Sequence, residues 1–274
     1  MKPPCFDYLA PQTIDEVLET LAAEGQDASI MAGGQSLIAM LNMRLVKPSV
    51  VVDVSRIPGC NTITEHGNEL HVGATVTQRN LLEHARLMEI NPLLAKALPW
   101  VGHFQTRSKG TVCGSIAHAD PSSEIPLCLA VLKGEVELRS SKGKRVVPAR
   151  DFQIGMLSTD RNADEMIVAA RFPNSQSIKG SAFNEFSFRH GDFAIVAVAV
   201  VVTETIRIGI GGMTDRPEVR ELPMLSGDAL ADALNDLAWE LQGTDDQHAS
   251  ARYRRDLLRN LGKRTVEEAL QCHV

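Results

Sequence analysis

Two short segments rich in glycine and hydroxyl side chains carry the residues best suited to bind a ligand. The first is Ala32-Gly33-Gly34-Gln35-Ser36, between a predicted strand and a predicted helix. Adjacent glycines let the backbone approach a ligand closely and adopt dihedral angles that a Cβ would forbid. Successive N–H groups there can form an anion-binding nest beside the positive end of the helix, and Ser36 adds a hydroxyl donor. A tight turn without a ligand is the simpler explanation of this segment taken alone.

The second segment, residues 106–126, is rich in small and hydroxylated residues and lacks a helical or strand period. A long irregular segment inside a compact domain is usually functional or disordered, and its valine, isoleucine and alanine content argues against disorder. Its candidate donors to phosphate are Thr111, Gly114 and Ser115. Its candidate acceptors from ribose or ribityl hydroxyls are Asp120 and Glu124. A packed structural loop is the alternative.

Together the two segments favour a long ligand with two phosphates, held from both sides. The chain contains neither G-x-G-x-x-G nor G-x-x-x-x-G-K-[ST], which disfavours Rossmann and P-loop folds. Its five cysteines are far apart, without a C-x-x-C, so we expect reduced thiols and no zinc or iron–sulfur site. The eight histidines, His273 among them, form no compact ligand set, so we expect no metal site.

Composition restricts the class of protein. The 274 residues, 44% hydrophobic and 23% charged, suit one large or two ordinary globular domains. A net charge of −6 and an aromatic content of 4% disfavour nucleic-acid binding. No apolar run approaches the roughly 18 residues of a membrane span. The N-terminus shows no apolar signal core, so we expect a cytoplasmic protein.

The elements that would position the two segments follow from periodicity and turn signals. Thr13 and Glu16 form a capping box that opens a helix. Predicted helices cover residues 14–23, 37–45, 77–87 and 92–101, and predicted strands cover 28–31, 50–54, 61–65, 69–73, 135–139 and 144–147. Residues 174–177 are polar and turn-rich, which is typical of a linker. We therefore expect an α+β domain over residues 1–175. A smaller unit over 177–274 has predicted strands 182–188, 194–203 and 206–210 and predicted helices 227–242 and 249–272.

Four motifs, in order along nearly the whole chain, resemble those of a known family. The first motif, AGGxSL…LR…P, resembles residues 32–37 with Met43-Arg44-Leu45 and Pro48, and the second, T[IV]GG[NS]…A.DP, resembles residues 111–115 with 118–121. The third motif, RR.GDFA, resembles residues 189–194, and the fourth, I.[LI]GG, resembles residues 208–213. These motifs belong to the FAD-binding medium subunits of molybdenum hydroxylases, the carbon monoxide dehydrogenase and xanthine dehydrogenase group. Each motif alone is weak, and the ordered set is specific.

The resemblance implies a fold and a site. The fold is the two-lobed FAD-binding fold shared with vanillyl-alcohol oxidase, over residues 1–175, followed by a small C-terminal α/β domain with a three-stranded sheet and helices, over residues 177–274. By resemblance, the FAD pyrophosphate is held by Ala32, Gly33, Gly34, Gln35 and Ser36 on one side and by Thr111, Gly114 and Ser115 on the other. Likewise, Asp120 and Glu124 reach sugar hydroxyls, Met166 and Ile167 pack near the flavin or adenine, and Arg189 to Phe193 lie over the isoalloxazine.

Three positions depart from the family pattern. Cys113 replaces the first glycine of a pair, so we expect the second loop to sit slightly differently. Glu124 stands where aspartate is usual and reaches one methylene further. Gln35 stands where some members have histidine, and both side chains form hydrogen bonds.

The resemblance also implies a role. A large partner subunit with molybdopterin oxidises the substrate, electrons pass through two [2Fe–2S] clusters in a small partner subunit, and FAD in this chain delivers them to an external acceptor. The implied assembly is a dimer of heterotrimers, and we expect no general base or nucleophile in this chain. The alternatives are a free-standing FAD-dependent oxidase or reductase of the same fold and a non-catalytic nucleotide-binding scaffold subunit.

Overall fold

The N-terminal part of the chain forms a small parallel sheet with two helices. The structure is a computed structural model that describes residues 2–272. The elements here are β1 (Asp7–Leu9), α1 (Ile14–Glu24), β2 (Ala28–Met31), α2 (Leu37–Asn42) and β3 (Val50–Asp53). The strands pair in the order β1-β3-β2, both pairs parallel. The buried face of α1, formed by Val17, Leu18 and Leu21, packs with Val50 and Val52 of β3 in one apolar cluster.

A second sheet with helices follows. Its elements are β4 (Ile63–His66), β5 (Glu69–Gly73), α3 (Gln78–Leu82), α4 (Leu87–Ile90), α5 (Pro92–Ala97), α6 (Phe104–Arg107), α7 (Val112–His118), α8 (Glu124–Val131), β6 (Glu135–Ser140), β7 (Gly143–Pro148), α9 (Ala149–Phe152), β8 (Gln153–Gly155), β9 (Ser158–Thr159) and β10 (Met166–Pro173). The five-stranded sheet has the order β4-β5-β10-β6-β7 and is antiparallel throughout, while β8 and β9 pair with each other. The two predicted hairpins are confirmed as β4-β5 and β6-β7.

The C-terminal part consists of β11 (Gly180–Phe186), β12 (Val196–Val202), β13 (Ile206–Gly211), β14 (Glu218–Leu222), α10 (Gly227–Leu241) and α11 (Ala251–Gln271). Its antiparallel sheet has the order β11-β12-β13-β14, four strands where three were expected. The additional strand, β14, is Glu-Val-Arg-Glu-Leu and mostly half-buried, so it lacks the apolar run that marks the other three. Every residue of β12 is buried because helices cover both faces of this sheet.

The segment 106–126, predicted to be irregular, is largely helical. It contains the last residues of α6, all of α7 and the start of α8. Thr111 begins α7 by accepting a hydrogen bond at Oγ1 from the Gly114 amide, at 3.0 Å. Ala119 ends this helix in the left-handed region, with φ of 54°. Valine, isoleucine, serine and glycine are weak helix formers, so burial of Val112 and Ile116 rather than propensity stabilises α7.

Candidate cofactor-binding site

The two glycine-bearing loops meet in the structure. Gly33, directly after β2, lies so close to the loop before α7 that a Cβ built on it would be 2.1 Å from the carbonyl oxygen of Lys109. The same Cβ would be 2.9 Å from the Cα of Gly110. Only glycine permits this approach, so the first loop is held against the second by backbone-to-backbone packing.

A cavity of about 690 Å³ opens where the loops meet. The predicted site residues that line it are Ala32, Gly33, Gly34, Gln35, Ser36, Thr111, Gly114, Ser115, Glu124, Met166, Ile167 and Phe193. Asp120 and Arg189 are not among its lining residues. Asp120 accepts a hydrogen bond at Oδ1 from the Ser122 amide, at 2.8 Å, and Arg189 is exposed. Asp120 and Arg189 therefore do not lie at the cavity, where the other twelve predicted residues lie.

The first loop presents a bend and a free hydroxyl. Gly34 has φ of 68°, a left-handed conformation that favours glycine. Ser36 precedes α2, and its side chain makes no capping hydrogen bond. The hydroxyl of Ser36 is therefore available to a ligand in the cavity.

In the second loop, the backbone amide of Gly114 is not free to bind a ligand. The amide of Gly114 is already bonded to Thr111, and a Cβ at Gly114 would lie 2.5 Å from Thr111 Oγ1. Gly114 therefore permits the helix cap instead of offering a free amide. The Cys113 thiol points away from the loop backbone toward the carbonyls of Val72 and Gly73, at 3.5 and 3.7 Å. Burial raises the pKa of this thiol to about 12, so it is a neutral packing group.

Glu124 brings a carboxyl group into the wall of the cavity. It is 5% exposed and lies in the first turn of α8. Burial raises its pKa to about 7, opposed by the hydrogen bond from its own amide; nearby Asp120 raises it further and Arg107 lowers it. At neutral pH this side chain is therefore partly protonated, and it can both donate to and accept from a hydroxyl group.

Arg161 and Gln78 are lining residues that the sequence does not predict. Arg161 lies in the turn between β9 and β10, where Asp160-Arg161-Asn162 looks like an ordinary surface turn. Gln78, in α3, is 5% exposed, and its Oε1 has no hydrogen-bond partner among the described residues. Asp192 lines the cavity within the segment 189–193 that the family motif indicated, beside Phe193. No local pattern marks Arg161 or Gln78, because long-range packing brings them to the cavity.

The described residues contain neither a cluster suited to a metal ion nor a helix suited to a membrane span. Within residues 2–272, histidine, cysteine and carboxylate side chains form no group of three or more suited to a metal ion, and His273 lies outside that range. No helix in the described part of the chain has both the length and the apolar character required to cross a bilayer.

Comparison with known proteins assigns this chain to a family. Residues 4–175 match the family described as "FAD binding domain in molybdopterin dehydrogenase", and residues 181–269 match "CO dehydrogenase flavoprotein C-terminal domain". The nicotine 6-hydroxylase medium subunit of Paenarthrobacter nicotinovorans is 34% identical, with 98% of this chain and 99% of the relative covered. A carbon monoxide dehydrogenase medium chain from Afipia carboxidovorans is 31% identical, with 98% of each chain covered.

Solved structures agree. A chain of carbon monoxide dehydrogenase from Hydrogenophaga pseudoflava superposes with a TM-score of 0.95 at 28% identity, covering 100% of both chains. A chain of quinoline 2-oxidoreductase from Pseudomonas putida 86 gives 0.93 at 32% identity, covering 99% of both. The mixed helix-and-sheet fold is thus that of an FAD-binding oxidoreductase subunit. The chain belongs to the medium-chain flavoproteins of the molybdenum hydroxylase family, which include the carbon monoxide dehydrogenase medium chains.

The residues of the cavity fit FAD. The close backbone approach of the two loops at Gly33, a serine hydroxyl that caps no helix and a lining arginine with no carboxylate partner among residues 2–272 all suit a diphosphate. Gln78 and Glu124 provide buried hydrogen-bonding groups that suit sugar or ring polar atoms.

Proposed function

We propose that this chain is the electron-transfer subunit of a heteromeric molybdenum hydroxylase. It receives electrons from iron–sulfur clusters of a small partner subunit and passes them to an external acceptor, while a large partner subunit carries molybdopterin and oxidises the substrate. The observation that carries this proposal is the cavity between two converging glycine loops, in a chain matched end to end by the two flavoprotein families. Relatives named as medium subunits of dehydrogenases and hydroxylases support it.

The proposed mechanism gives the chain a binding and positioning task. Bound FAD supplies the chemistry of accepting and donating electrons, one or two at a time. Residues 32–36 and 111–115 hold the diphosphate, with Gly33 permitting the close approach of the two loops and the Ser36 hydroxyl donating a hydrogen bond. Glu124 bonds to a sugar hydroxyl. The apolar side chains of Met166, Ile167 and Phe193 pack against the ring systems and exclude water. No residue of the chain acts as nucleophile or general base.

The proposal also covers the domains of this chain and the assembly of the complex. The chain divides into an FAD-binding domain, residues 1–175, and a C-terminal domain, residues 177–274, a division that the matched ranges 4–175 and 181–269 support. The complex is a dimer of heterotrimers. We expect the complex to work in the cytoplasm, where thiols are kept reduced.

The experiment is capture of the tagged chain from its native host under mild conditions. We expect one large subunit containing molybdenum and one small subunit containing iron and sulfide to co-purify with a yellow medium chain. Oxidisable substrate should bleach the flavin absorbance of the complex but not that of the isolated chain. Bleaching of the isolated chain by an organic substrate would instead indicate a free-standing oxidase. A flavin that stays oxidised in the turning-over complex would indicate a scaffold. Either result would overturn the proposal.

A further inference from the structure

Arg161 is the one lysine or arginine among the described residues that line the cavity. It lies in the turn between β9 and β10 and is half-buried. Its position in the chain is distant from both glycine loops, and no family motif that marks the site includes it.

Backbone carbonyls hold the guanidinium in place. Arg161 Nη1 donates to the carbonyl oxygens of Asn162 and Glu165, at 3.0 and 2.7 Å. These two bonds use one nitrogen of the fork, and the remaining N–H groups are not engaged by any side chain of residues 2–272. The cation is therefore fixed in orientation and still has donors to offer.

Its charge forms no ion pair with the neighbouring acids, although Glu165 and Asp164 attract it from a distance. Asp164 pairs with Lys142 at 2.9 Å, and Glu165 forms a two-pronged pair with Arg145 at 2.6 and 2.8 Å. Within the described chain, no carboxylate oxygen lies within 4.0 Å of Arg161. Burial lowers the pKa of Arg161, which reflects the cost of holding a cation away from water.

A partly buried cation without a counter-ion is unfavourable unless a ligand supplies the negative charge. The diphosphate is the only ionised group of FAD, and guanidinium groups bind phosphate oxygens in pairs. We propose that Arg161 is the cationic contact of this site to the diphosphate of FAD, in addition to the two glycine loops. This inference rests on FAD binding within the proposed function and assigns a specificity residue for the diphosphate.

The test compares flavins with and without phosphate on the full-length chain after removal of FAD. Dissociation constants are measured by fluorescence titration for FAD and for riboflavin, with the parent, Arg161→Gln and Arg161→Lys. Arg150→Gln is the matched control, because Arg150 has a side chain that is 83% exposed and lies away from this cavity. We expect Arg161→Gln to weaken FAD binding about tenfold to a hundredfold, the range for a hydrogen bond to a charged group. Riboflavin binding should change less than about twofold.

Two further readouts separate a charge contact from a structural role. FAD binding to the parent should weaken with ionic strength more steeply than binding to Arg161→Gln, and Arg161→Lys should restore the salt dependence. ADP, which carries the diphosphate without the flavin, should lose affinity by a factor similar to that for FAD. Equal losses for FAD and riboflavin, or unchanged FAD affinity, would overturn the assignment of Arg161 alone. A parent chain that binds no FAD would overturn the proposed function as well.

Discussion

Replacing Glu185 by glutamine should make this chain much less sensitive to alkaline pH. Glu185 lies on β11, opposite Ala197 of β12, and is 7% exposed. Neither of its carboxyl oxygens has a hydrogen-bond partner within residues 2–272. Burial, with a smaller repulsion from Glu124, raises its pKa to about 9. The folded chain therefore keeps this carboxyl protonated at neutral pH.

The magnitude follows from proton linkage. The unfolded chain releases the proton near pH 4.5, and the folded chain releases it near pH 9. Between these values the folded state binds one proton more than the unfolded state, so the free energy of unfolding falls as pH rises. The slope is about 1.4 kcal/mol per pH unit, or about 4 kcal/mol between pH 5 and pH 8. Glutamine keeps the shape of the protonated acid and has no proton to lose, so this contribution to the slope disappears.

The assay is urea unfolding followed by circular dichroism from pH 5 to pH 8, with FAD in fixed excess. The two proteins should be similarly stable near pH 5, and Glu185→Gln should be more stable by about 4 kcal/mol at pH 8. Glu204→Gln, which removes a carboxylate with an 88% exposed side chain, is the control for loss of surface charge. Parallel stability curves for the parent and Glu185→Gln would refute the reasoning.

Three other perturbations test the site and its frame. Gly33→Ala places a Cβ 2.1 Å from the Lys109 carbonyl oxygen, so the loops must separate and FAD affinity should fall more than about tenfold. The control is Gly155→Ala, whose Cβ would make only ordinary contacts, and this variant should retain yellow flavin after gel filtration. FAD affinity of the parent should weaken as pH rises through about 7, because the ionised Glu124 repels the diphosphate. Glu124→Gln should remove this pH dependence when FAD is titrated at a series of pH values. Arg254 is 3% exposed, and its guanidinium donates to the carbonyl oxygens of Ile195 and Gly212, beside β12 and β13. Arg254→Ala should lower the free energy of unfolding by about 3 kcal/mol in urea titrations, and an unchanged value would contradict the account.

Elements with strong local signals were predictable from the sequence. The Thr13 cap is confirmed, with Oγ1 accepting from the Glu16 amide at 3.2 Å, and helix α1 follows it as expected. The apolar run over residues 194–203 predicts a strand, which β12 confirms, and every residue of β12 is buried. The two hairpins also follow their turn signals, because loop length and strand alternation are local properties.

Other elements depend on contacts that the sequence does not display. β10, Met166–Pro173, occupies the centre of the five-stranded sheet between β5 and β6, and both pairings join distant parts of the chain. The helix α7 is built from weak helix formers, so the sequence predicts an irregular segment where the structure has a helix. Most of the predicted site residues do meet at one cavity, whereas Arg161 and Gln78 reach it only through the tertiary fold.

The central claim is that two distant glycine loops hold one FAD molecule by its diphosphate. The most direct measurement is a crystal structure of the FAD-loaded chain. We expect the diphosphate between residues 32–36 and residues 111–115, with hydrogen bonds from both loops and with the Arg161 guanidinium beside it. FAD bound with its diphosphate away from either loop, or in a different cavity, would contradict the account.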